Sequence, residues 1–402
     1  MQTKVFHNSI GDAPELIKAG GLVAVPTETV YGLAGNALDA VAVEKIYEVK
    51  GRPPVKPLSL MVPSPAAMES YAEVVPEEAK KLAEKFWPGP LTIVLPARDK
   101  IPPIVLAGGK TVGLRCPDHA LTLAALQASG VPFAAPSANL SGAASPKTAQ
   151  DVLSVFDGEI DAVIDGGKCT LGLESTILDM SSRPYRILRR GALPEEEIAD
   201  ALVAQMQVIG ITGLTGSGKS SAMRALEASG ALLMDCDALY HKLLKESEAL
   251  KKDLKERFPS AVSGEEVDRK KLALQVFSDE QALADLNAIS HRHIMDAVRE
   301  ALRRFAMEGG KLAVIDAVEL FSSGADALCD YTVAVVASEE TRRKRIMARD
   351  GISASDALKR IRAQKAEEYY RRRCTYVINN DGTEEALREK MNQLLKENYR
   401  HG

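Results

Sequence analysis

The stretch VIGITGLTGSGKS, residues 208–220, joins a short apolar run to a glycine-rich loop and fits the phosphate-loop pattern G-x-x-x-x-G-K-[ST]. Glycines let backbone N–H groups close around a polyphosphate, and the N-terminus of the following helix adds partial positive charge. Lys219 supplies a full charge, and Ser220 is placed to hold a magnesium ion. We therefore predict a strand, an ATP-binding loop and a helix over Ser221–Ser229. The candidate ATP-binding residues of the loop are Gly213, Gly216, Ser217, Gly218, Lys219 and Ser220.

The position of this loop indicates that another domain precedes it. A phosphate loop normally opens the first β-α unit of its domain, yet this one lies near the middle of a chain of 402 residues. At roughly 100–200 residues per domain, that length fits two or more domains. We predict an α/β chain with one domain at 1–204 and a second at 205–402, joined by a short helix-forming stretch.

Composition and charge exclude several classes of protein. Hydrophobic residues make up 46% of the chain, charged residues 26%, and the net charge of −4 argues against a polyanion binder held by overall charge, so no DNA partner is expected. There is no apolar run long enough for a membrane span and no signal core near the N-terminus, so we expect a cytoplasmic protein without a membrane partner. The five cysteines are scattered, which indicates neither a disulfide framework nor a zinc site.

The first half carries several polar motifs in order. We predict a helix that begins with a capping box at 12–15, a strand at 22–26 and a helix at 40–49. The strand delivers the segment TETVYGL, residues 27–33, at its carboxyl end, where α/β folds place ligand contacts. The remaining polar motifs are KGR (50–52) with Lys56, GLRCP (113–117), PSANLSG (136–142), ESTILD (174–179) and ILRRG (187–191).

This ordered set resembles the YrdC-type threonylcarbamoyl-AMP synthases over roughly residues 5–195. The resemblance implies a twisted α/β sheet domain that condenses L-threonine, bicarbonate and ATP to threonylcarbamoyl-AMP and pyrophosphate, for modification of tRNA adenosines. Proteins that act on threonylcarbamoyl-AMP are the implied partners. The resemblance implies Lys50 and Arg52 as catalytic cations that stabilise the transferring phosphate. The implied ATP-binding and threonine-binding residues are Thr27, Thr29, Tyr31, Lys50, Arg52, Lys56, Arg115, Ser137, Asn139, Ser175 and Arg189.

Each of these residues alone has an ordinary structural interpretation. A lone lysine or arginine is usually a solvated cation, and a Ser-Ala-Asn segment beside a proline is often only a turn. The alternative function is an RNA-binding module that uses the same cationic concavity without synthase activity. Threonine-dependent and bicarbonate-dependent release of pyrophosphate distinguishes the two functions.

In the second half, acidic residues follow two apolar runs. Asp235 and Asp237 follow ALLM, 231–234, and on an extended strand their side chains would point the same way, one as base and the other toward magnesium. Asp316 ends the run LAVID, 312–316, as in strands that face a phosphate loop. The arginines of 342–349 predict a helical lid over the phosphates, with Arg345 and Arg349 as ATP-binding residues.

Together with HRH, 291–293, and INNDG, 378–382, these motifs resemble dephospho-CoA kinase over roughly 207–398. The resemblance implies a P-loop kinase with a parallel sheet, which phosphorylates the 3′-hydroxyl of dephospho-CoA with MgATP. It implies Asp235, Asp237 and Lys219 as catalytic residues, Asn380 as an ATP contact, His291 and Asp316 as acceptor contacts, and Ser220 and Asp237 as magnesium ligands.

The segment after Asp316 departs from the family pattern. Val318 stands where a proline is usual, Glu319 where a small or apolar residue is usual, and Ser322 where a carboxylate is usual. Because a displaced carboxylate repels an anionic acceptor, we expect weakened binding of dephospho-CoA and unaffected binding of ATP. Two alternatives stay open for this half: a related small-molecule or nucleoside kinase, and a regulatory ATP-binding domain.

Overall fold

The computed structural model describes residues 2–264, 266–277 and 279–398. Contacts between Cα atoms divide the chain into two units. The first comprises Met1–Leu202 with Met307–Gly309, and the second comprises Val203–Ala306 with Gly310–Gly402. The division between residues 204 and 205 stays a prediction about where two independently folding pieces part.

The first unit is built on a mixed sheet. Its ten described strands lie in the order β1-β8-β2-β3-β7-β4-β6-β5-β9-β10, with both parallel and antiparallel pairs. The strands are β1 (Lys4–His7), β2 (Val23–Val25), β3 (Gly32–Asn36), β4 (Ser59–Met61), β5 (Leu91–Pro96), β6 (Thr111–Arg115), β7 (Phe133–Ala134), β8 (Ala162–Asp165), β9 (Thr176–Asp179) and β10 (Arg186–Arg189). The central strand β2 is buried at every residue, as its sequence VAV requires.

Helices pack against this sheet. They are α1 (Ala13–Lys18), α2 (Ala40–Lys50), α3 (Met68–Tyr71), α4 (Glu77–Phe86), α5 (Ala120–Ser129), α6 (Ala149–Phe156) and α7 (Glu195–Val203), with a 3₁₀ turn at Pro65–Ala67. The capping box predicted at 12–15 is wrong. Asp12 precedes α1 but caps no backbone group, because its carboxylate lies 2.7 Å from the ammonium of Lys4.

The second unit contains a parallel sheet of five described strands in the order β12-β15-β11-β16-β17. The strands are β11 (Gln207–Gly213), β12 (Leu232–Asp235), β15 (Leu312–Asp316), β16 (Tyr331–Val336) and β17 (Tyr376–Asn379), with a separate pair β13 (Val262–Ser263) and β14 (Glu266–Val267). All seven residues of β11 are buried, which fits a strand at the centre of a parallel sheet. The α/β fold class predicted for both halves is confirmed.

The helices of the second unit include one long helix and several short ones. They are α8 (Lys219–Glu227), α9 (Cys236–Glu246), α10 (Glu248–Arg257), α11 (Arg269–Phe277), α12 (Glu280–Met307), α13 (Glu339–Asp350), α14 (Ala354–Arg362), α15 (Glu367–Arg373) and α16 (Glu384–Asn398), with 3₁₀ turns at Pro259–Ala261 and Ala325–Leu328. Helix α8 begins two residues before the predicted Ser221.

The phosphate loop leaves β11 at a glycine that no other residue could replace. Gly213 has φ +140°, and a Cβ atom there would lie 2.1 Å from the carbonyl oxygen of Val335 on β16. Without a side chain, β11 can run against β16 to its last residue and then turn into the loop. The loop therefore starts at the carboxyl edge of the sheet, where β12 and β15 also end in Asp235 and Asp316.

Candidate active sites

The first unit holds a cavity of about 140 Å³ lined by residues from the predicted motifs. Arg52 follows α2, Arg115 ends β6 and Arg189 ends β10, so strand and helix termini bring three guanidinium groups to one place. The lining residues are Val30, Gly32, Arg52, Pro57, Leu58, Ser59, Met61, Thr92, Arg115, Ala135, Pro136, Ser137, Glu174, Ser175, Ile177 and Arg189. The cavity thus combines three cations with hydroxyl groups, which suits an anionic ligand.

Arg115 is held by a partner that sequence reasoning missed. Its guanidinium donates to the Glu28 carboxylate at 2.7 Å and to Thr29 Oγ1 at 2.8 Å, and both side chains of the ion pair are less than one tenth exposed. Thr27 Oγ1 lies 2.8 Å from Thr29 Oγ1, so Thr27 is connected to Arg115 through Thr29. Glu28 sits inside the motif TETVYGL, and buried charges are usually paired, so the acidic residue in that motif was the available signal.

Arg189 and Ser175 also contact each other. Arg189 donates to the Ser175 carbonyl at 2.9 Å and to its Oγ at 3.1 Å. Burial lowers the pKa of Arg189, the Glu174 carboxylate opposes that shift, and Arg115 and Arg52 add to it. These mutual effects indicate that the three arginines and Glu174 share one electrostatic field.

Lys50 lies outside the lining of this cavity. Its side chain is only 2% exposed, and its ammonium donates to the carbonyl groups of Ser137 and Asn139 and, at 3.4 Å, to Asn139 Oδ1. Burial lowers the pKa of Lys50 to about 8. In this conformation Lys50 braces the loop that carries Ser137, whose own hydroxyl donates to Asn139 Oδ1 at 2.5 Å.

Five other predicted residues also lie outside the lining, namely Thr27, Thr29, Tyr31, Lys56 and Asn139. Lys56 is exposed, and its backbone N–H donates to the Pro53 carbonyl at 3.2 Å while its carbonyl accepts from Tyr47 at 2.9 Å. The buried Tyr31 donates its hydroxyl to Gly167 at 2.8 Å, and burial raises its pKa to about 12. Neither side chain lines the cavity.

In the second unit, the phosphate-loop lysine meets the aspartate of the neighbouring strand. Lys219 Nζ lies 3.1 Å from Asp316 Oδ1, and both side chains are mostly buried. Burial raises the pKa of Asp316, while Lys219 opposes the shift. Asp316 was predicted as an acceptor contact, but its observed partner is Lys219.

The two aspartates after β12 occupy different elements, so their predicted placement on one extended strand is wrong. β12 ends at Asp235, whose carboxylate caps helix α9 by accepting from the backbone N–H groups of Asp237 and Ala238, both at 2.9 Å. Asp237 lies in the first turn of α9. The N-cap preference of aspartate outweighs the apolar run before it.

Asp237 and His291 line a second cavity of about 170 Å³. Burial lowers the pKa of His291, with Glu319 opposing the shift. Glu319 itself is paired, since its carboxylate lies 3.1 Å from Lys365 and also accepts from the Ser322 hydroxyl. The lining residues are Cys236, Asp237, Tyr240, Leu286, Asn287, Ser290, His291, Ile294, Ala317, Val318, Glu319 and Ser323.

Asn380 and Arg345 each donate a hydrogen bond to the phosphate loop, whereas Arg349 pairs with its neighbour on helix α13. Asn380 Nδ2 donates to the Ser217 carbonyl at 2.7 Å, and Arg345 donates to the same carbonyl at 3.2 Å and to that of Asn380 at 2.9 Å. Arg349 pairs with Asp350 at 2.7 Å.

Arg342, one of the arginines predicted to form the lid, contacts the backbone of the loop. Arg342 donates to the carbonyl of Thr215 at 3.0 Å, and the N–H of Thr215 donates to Gln364 at 2.8 Å. Arg342 also donates to Gln364 at 3.0 Å, so helices α13 and α14 meet the loop through one network.

The described residues hold neither a metal cluster nor a membrane-spanning helix. No group of three His, Cys, Asp or Glu side chains converges there as a metal cluster would. None of the described helices has the length and apolar character required to cross a bilayer.

Comparison with known proteins assigns each half separately. A Sua5/YciO/YrdC family model, described as telomere recombination, matches residues 15–191, and one described as dephospho-CoA kinase matches residues 207–386. A threonylcarbamoyl-AMP synthase of Pyrococcus abyssi is 48% identical over 186 residues, which is 46% of this chain and 55% of that protein. This chain thus spans little more than half of that relative.

Two further relatives are covered over most of their length. A putative threonylcarbamoyl-AMP synthase of Methanocaldococcus jannaschii is 38% identical over 45% of this chain and 84% of its own length. A dephospho-CoA kinase of Salinibacter ruber is 37% identical over 47% of this chain and 96% of its own length. The first half of the chain therefore belongs to the Sua5/YciO/YrdC family, and the second half belongs to the dephospho-CoA kinase family.

Proposed function

We propose that the chain is a bifunctional enzyme whose first half condenses L-threonine, bicarbonate and ATP to threonylcarbamoyl-AMP and pyrophosphate. The observation that carries this proposal is the cavity shared by Arg52, Arg115 and Arg189. A triphosphate and the carboxylate of an amino acid are both anions that arginine binds with charge-assisted hydrogen bonds. The product, an acyl adenylate, would pass to proteins that transfer its acyl group to tRNA.

The chemistry requires charge stabilisation rather than a covalent intermediate. Threonine and bicarbonate give a carbamate with loss of water. A carbamate oxygen then attacks the α-phosphorus of ATP while the bond between that phosphorus and the bridging oxygen to the β-phosphate breaks, and pyrophosphate leaves. Negative charge grows on the leaving group, where the guanidinium groups of Arg52 and Arg189 can stabilise it. Arg115, oriented by Glu28, would hold the threonine carboxylate beside Thr29 and Ser175.

The test is release of pyrophosphate that depends on both threonine and bicarbonate. Arg52→Ala should abolish the release and leave phosphorylation by the second half unchanged, because the two nucleotide sites lie in separate units. The RNA-binding alternative predicts instead that the wild-type chain binds RNA and releases no pyrophosphate with threonine.

We propose that the second half transfers the γ-phosphate of ATP to the 3′-hydroxyl of dephospho-CoA. The observation that carries this proposal is a cavity lined by both Asp237 and His291, which also borders Ala317, the residue after the Asp316 that pairs with Lys219. Asp237 would accept the proton of the ribose hydroxyl as its oxygen attacks the γ-phosphorus and ADP leaves. His291, kept neutral by burial, would donate or accept a hydrogen bond at the same sugar.

Magnesium belongs to this proposal through Ser220, and Asp237 would face the ion with the carboxylate oxygen that does not accept the proton. Hard oxygen ligands suit the ion, which usually takes one or two protein ligands besides the phosphates of its nucleotide. When bound, it would neutralise charge on the β- and γ-phosphates. Lys219 would contribute a second cation. Asn380 would hold the loop backbone in place through its hydrogen bond to the Ser217 carbonyl.

Thermal-shift measurement with dephospho-CoA and a panel of nucleosides tests the acceptor. A ligand at 100 times its Kd stabilises by about 2.7 kcal/mol, so only the true acceptor should raise the melting temperature strongly. A response to nucleosides alone would favour another small-molecule kinase, and a response to ATP alone would favour a regulatory domain. A cytoplasmic location, where both reactions find their substrates, is part of the same proposal.

A further inference from the structure

Ser290 carries a buried hydroxyl group whose hydrogen bonds are incomplete. The residue lies inside helix α12 and is 6% exposed. Its Oγ atom has no hydrogen-bond partner among the residues that the structure describes. A polar group that is removed from water without a partner reduces stability, so proteins rarely keep one without a reason.

The usual arrangement for a serine inside a helix is absent here. Such a serine commonly returns its hydroxyl to the carbonyl four residues earlier, which for Ser290 would be that of Leu286. Ser290 forms no such bond within the described part of the chain. The helix therefore leaves this hydroxyl without an intrahelical partner.

The environment of Ser290 is the acceptor cavity. Ser290 lines that cavity together with its neighbour His291, with Asn287 one turn earlier on α12, and with Asp237 of α9. Leu286 and Ile294 give the same cavity apolar walls. Polar groups on an apolar background are typical of a site that orients a small molecule.

We propose that Ser290 binds the nucleoside end of the acceptor and that this contact completes its hydrogen bonding. This inference rests on the proposed kinase function. If Asp237 takes the proton of one ribose hydroxyl, the other hydroxyl of that ribose and the attached base must lie within the same small cavity. Ser290 Oγ can donate to either and accept from either. The residue then contributes to selection of a nucleoside-containing acceptor.

The test is Ser290→Ala in the full chain, because a binding role and a structural role predict opposite stability effects. Alanine removes the unpaired hydroxyl, so the melting temperature should stay the same or rise. The KM for dephospho-CoA should rise about fivefold, which corresponds to one lost hydrogen bond, while the KM for ATP stays unchanged. 2′-Deoxy-dephospho-CoA shows whether the partner is the ribose 2′-hydroxyl, in which case wild type and variant should bind it equally. If both bind it with the same fivefold difference, the base is the partner.

A matched control is Ser247→Ala. Ser247 caps helix α10, where its side chain accepts from the N–H of Leu250 at 3.2 Å, and it does not line the cavity. Its replacement should lower the melting temperature and leave both KM values unchanged.

Three results would overturn the inference. An unchanged KM for dephospho-CoA in Ser290→Ala shows that the hydroxyl does not bind the acceptor. A lowered melting temperature with both KM values raised shows that Ser290 is structural. If the wild-type chain forms no CoA, the kinase function fails and the inference fails with it, which separates that case from failure of the inference alone.

Discussion

The ammonium of Lys219 lies 3.1 Å from the carboxylate of Asp316, so the cation of the phosphate loop already has an anionic partner on the next strand of the sheet. Each side chain is about 15% exposed, with values of 16% and 14%. A pair this buried holds the lysine in place, and breaking it leaves an uncompensated charge. Catalysis and stability are thus linked at Lys219.

Lys219→Met should therefore have two effects. CoA formation should fall by about 100-fold or more, because the transferring phosphate loses a fixed cation. The free energy of unfolding should fall by about 3 kcal/mol, because Asp316 is left without its partner. Steady-state kinetics and urea unfolding measure the two effects. The double variant Lys219→Met with Asp316→Asn should recover stability without activity, and recovery of neither would contradict this account.

Lys50 predicts a pH effect on the stability of the first half. Its folded pKa is about 8 against an ordinary value of 10.5, so the folded state holds fewer protons than the unfolded state between these values. The free energy of unfolding should therefore rise from pH 8 to 10.5, by at most about 3 kcal/mol. Lys50→Met should lack this rise. The fluorescence of Trp87, the only tryptophan, reports unfolding of this half alone.

Subtracting the profile of Lys50→Met from that of wild type removes the contributions of other titrating groups. Lys56→Ala serves as a control because Lys56 is exposed to solvent, so its profile should follow that of the wild type. Parallel profiles for wild type and Lys50→Met would show that the Lys50 ammonium is not held in a desolvated site.

The Glu319–Lys365 pair changes what is expected of the atypical segment after Asp316. Since Lys365 lies 3.1 Å from the carboxylate, Glu319 presents less negative charge to the acceptor than its sequence position suggests. Lys365→Met should raise the KM for dephospho-CoA about two- to fivefold, because the free energy of an exposed ion pair corresponds to a change of that size. The KM for ATP should not change. Glu319→Leu with Lys365→Met should restore the wild-type value.

A surface pair on helix α15 provides the control for this measurement. Arg372 pairs with Glu368 at 2.9 Å, and both side chains are well exposed. Arg372→Met should leave both KM values unchanged. If it matches Lys365→Met, the effect belongs to general surface charge.

Separate expression of residues 1–204 and 205–402 should give two folded proteins, each with its own activity. The cut falls between α7, which ends at Val203, and β11, which begins at Gln207, so it interrupts no described helix or strand. Each piece retains a sheet and buried apolar clusters of its own. Circular dichroism and the two enzyme assays provide the measurement, and insolubility of both pieces would contradict the prediction.

Local patterns in the sequence predict the phosphate loop and the strand that ends in Asp316. The N-cap role of Asp235 was also readable locally, because a helix-forming run begins directly after it. Lys50 and Glu319 differ in this respect. The hydrogen-bond partners of the Lys50 ammonium lie at least 87 residues away in sequence, and Lys365, the partner of Glu319, lies 46 residues away. Charge and spacing alone could therefore not show that Lys50 is buried or that Glu319 is paired with a cation.

The two candidate nucleotide sites bind anionic ligands by different means, so added salt should weaken binding at one site more than at the other. The first unit relies on the guanidinium groups of Arg52, Arg115 and Arg189 around one cavity. Arg115 is buried, but the fields of the more exposed Arg52 and Arg189 are screened by added potassium chloride. The phosphate loop combines backbone N–H groups, near Gly213 and the start of α8, with Lys219 in a mostly buried ion pair, so its charges are screened less. The salt concentration would then shift the balance between the two proposed reactions.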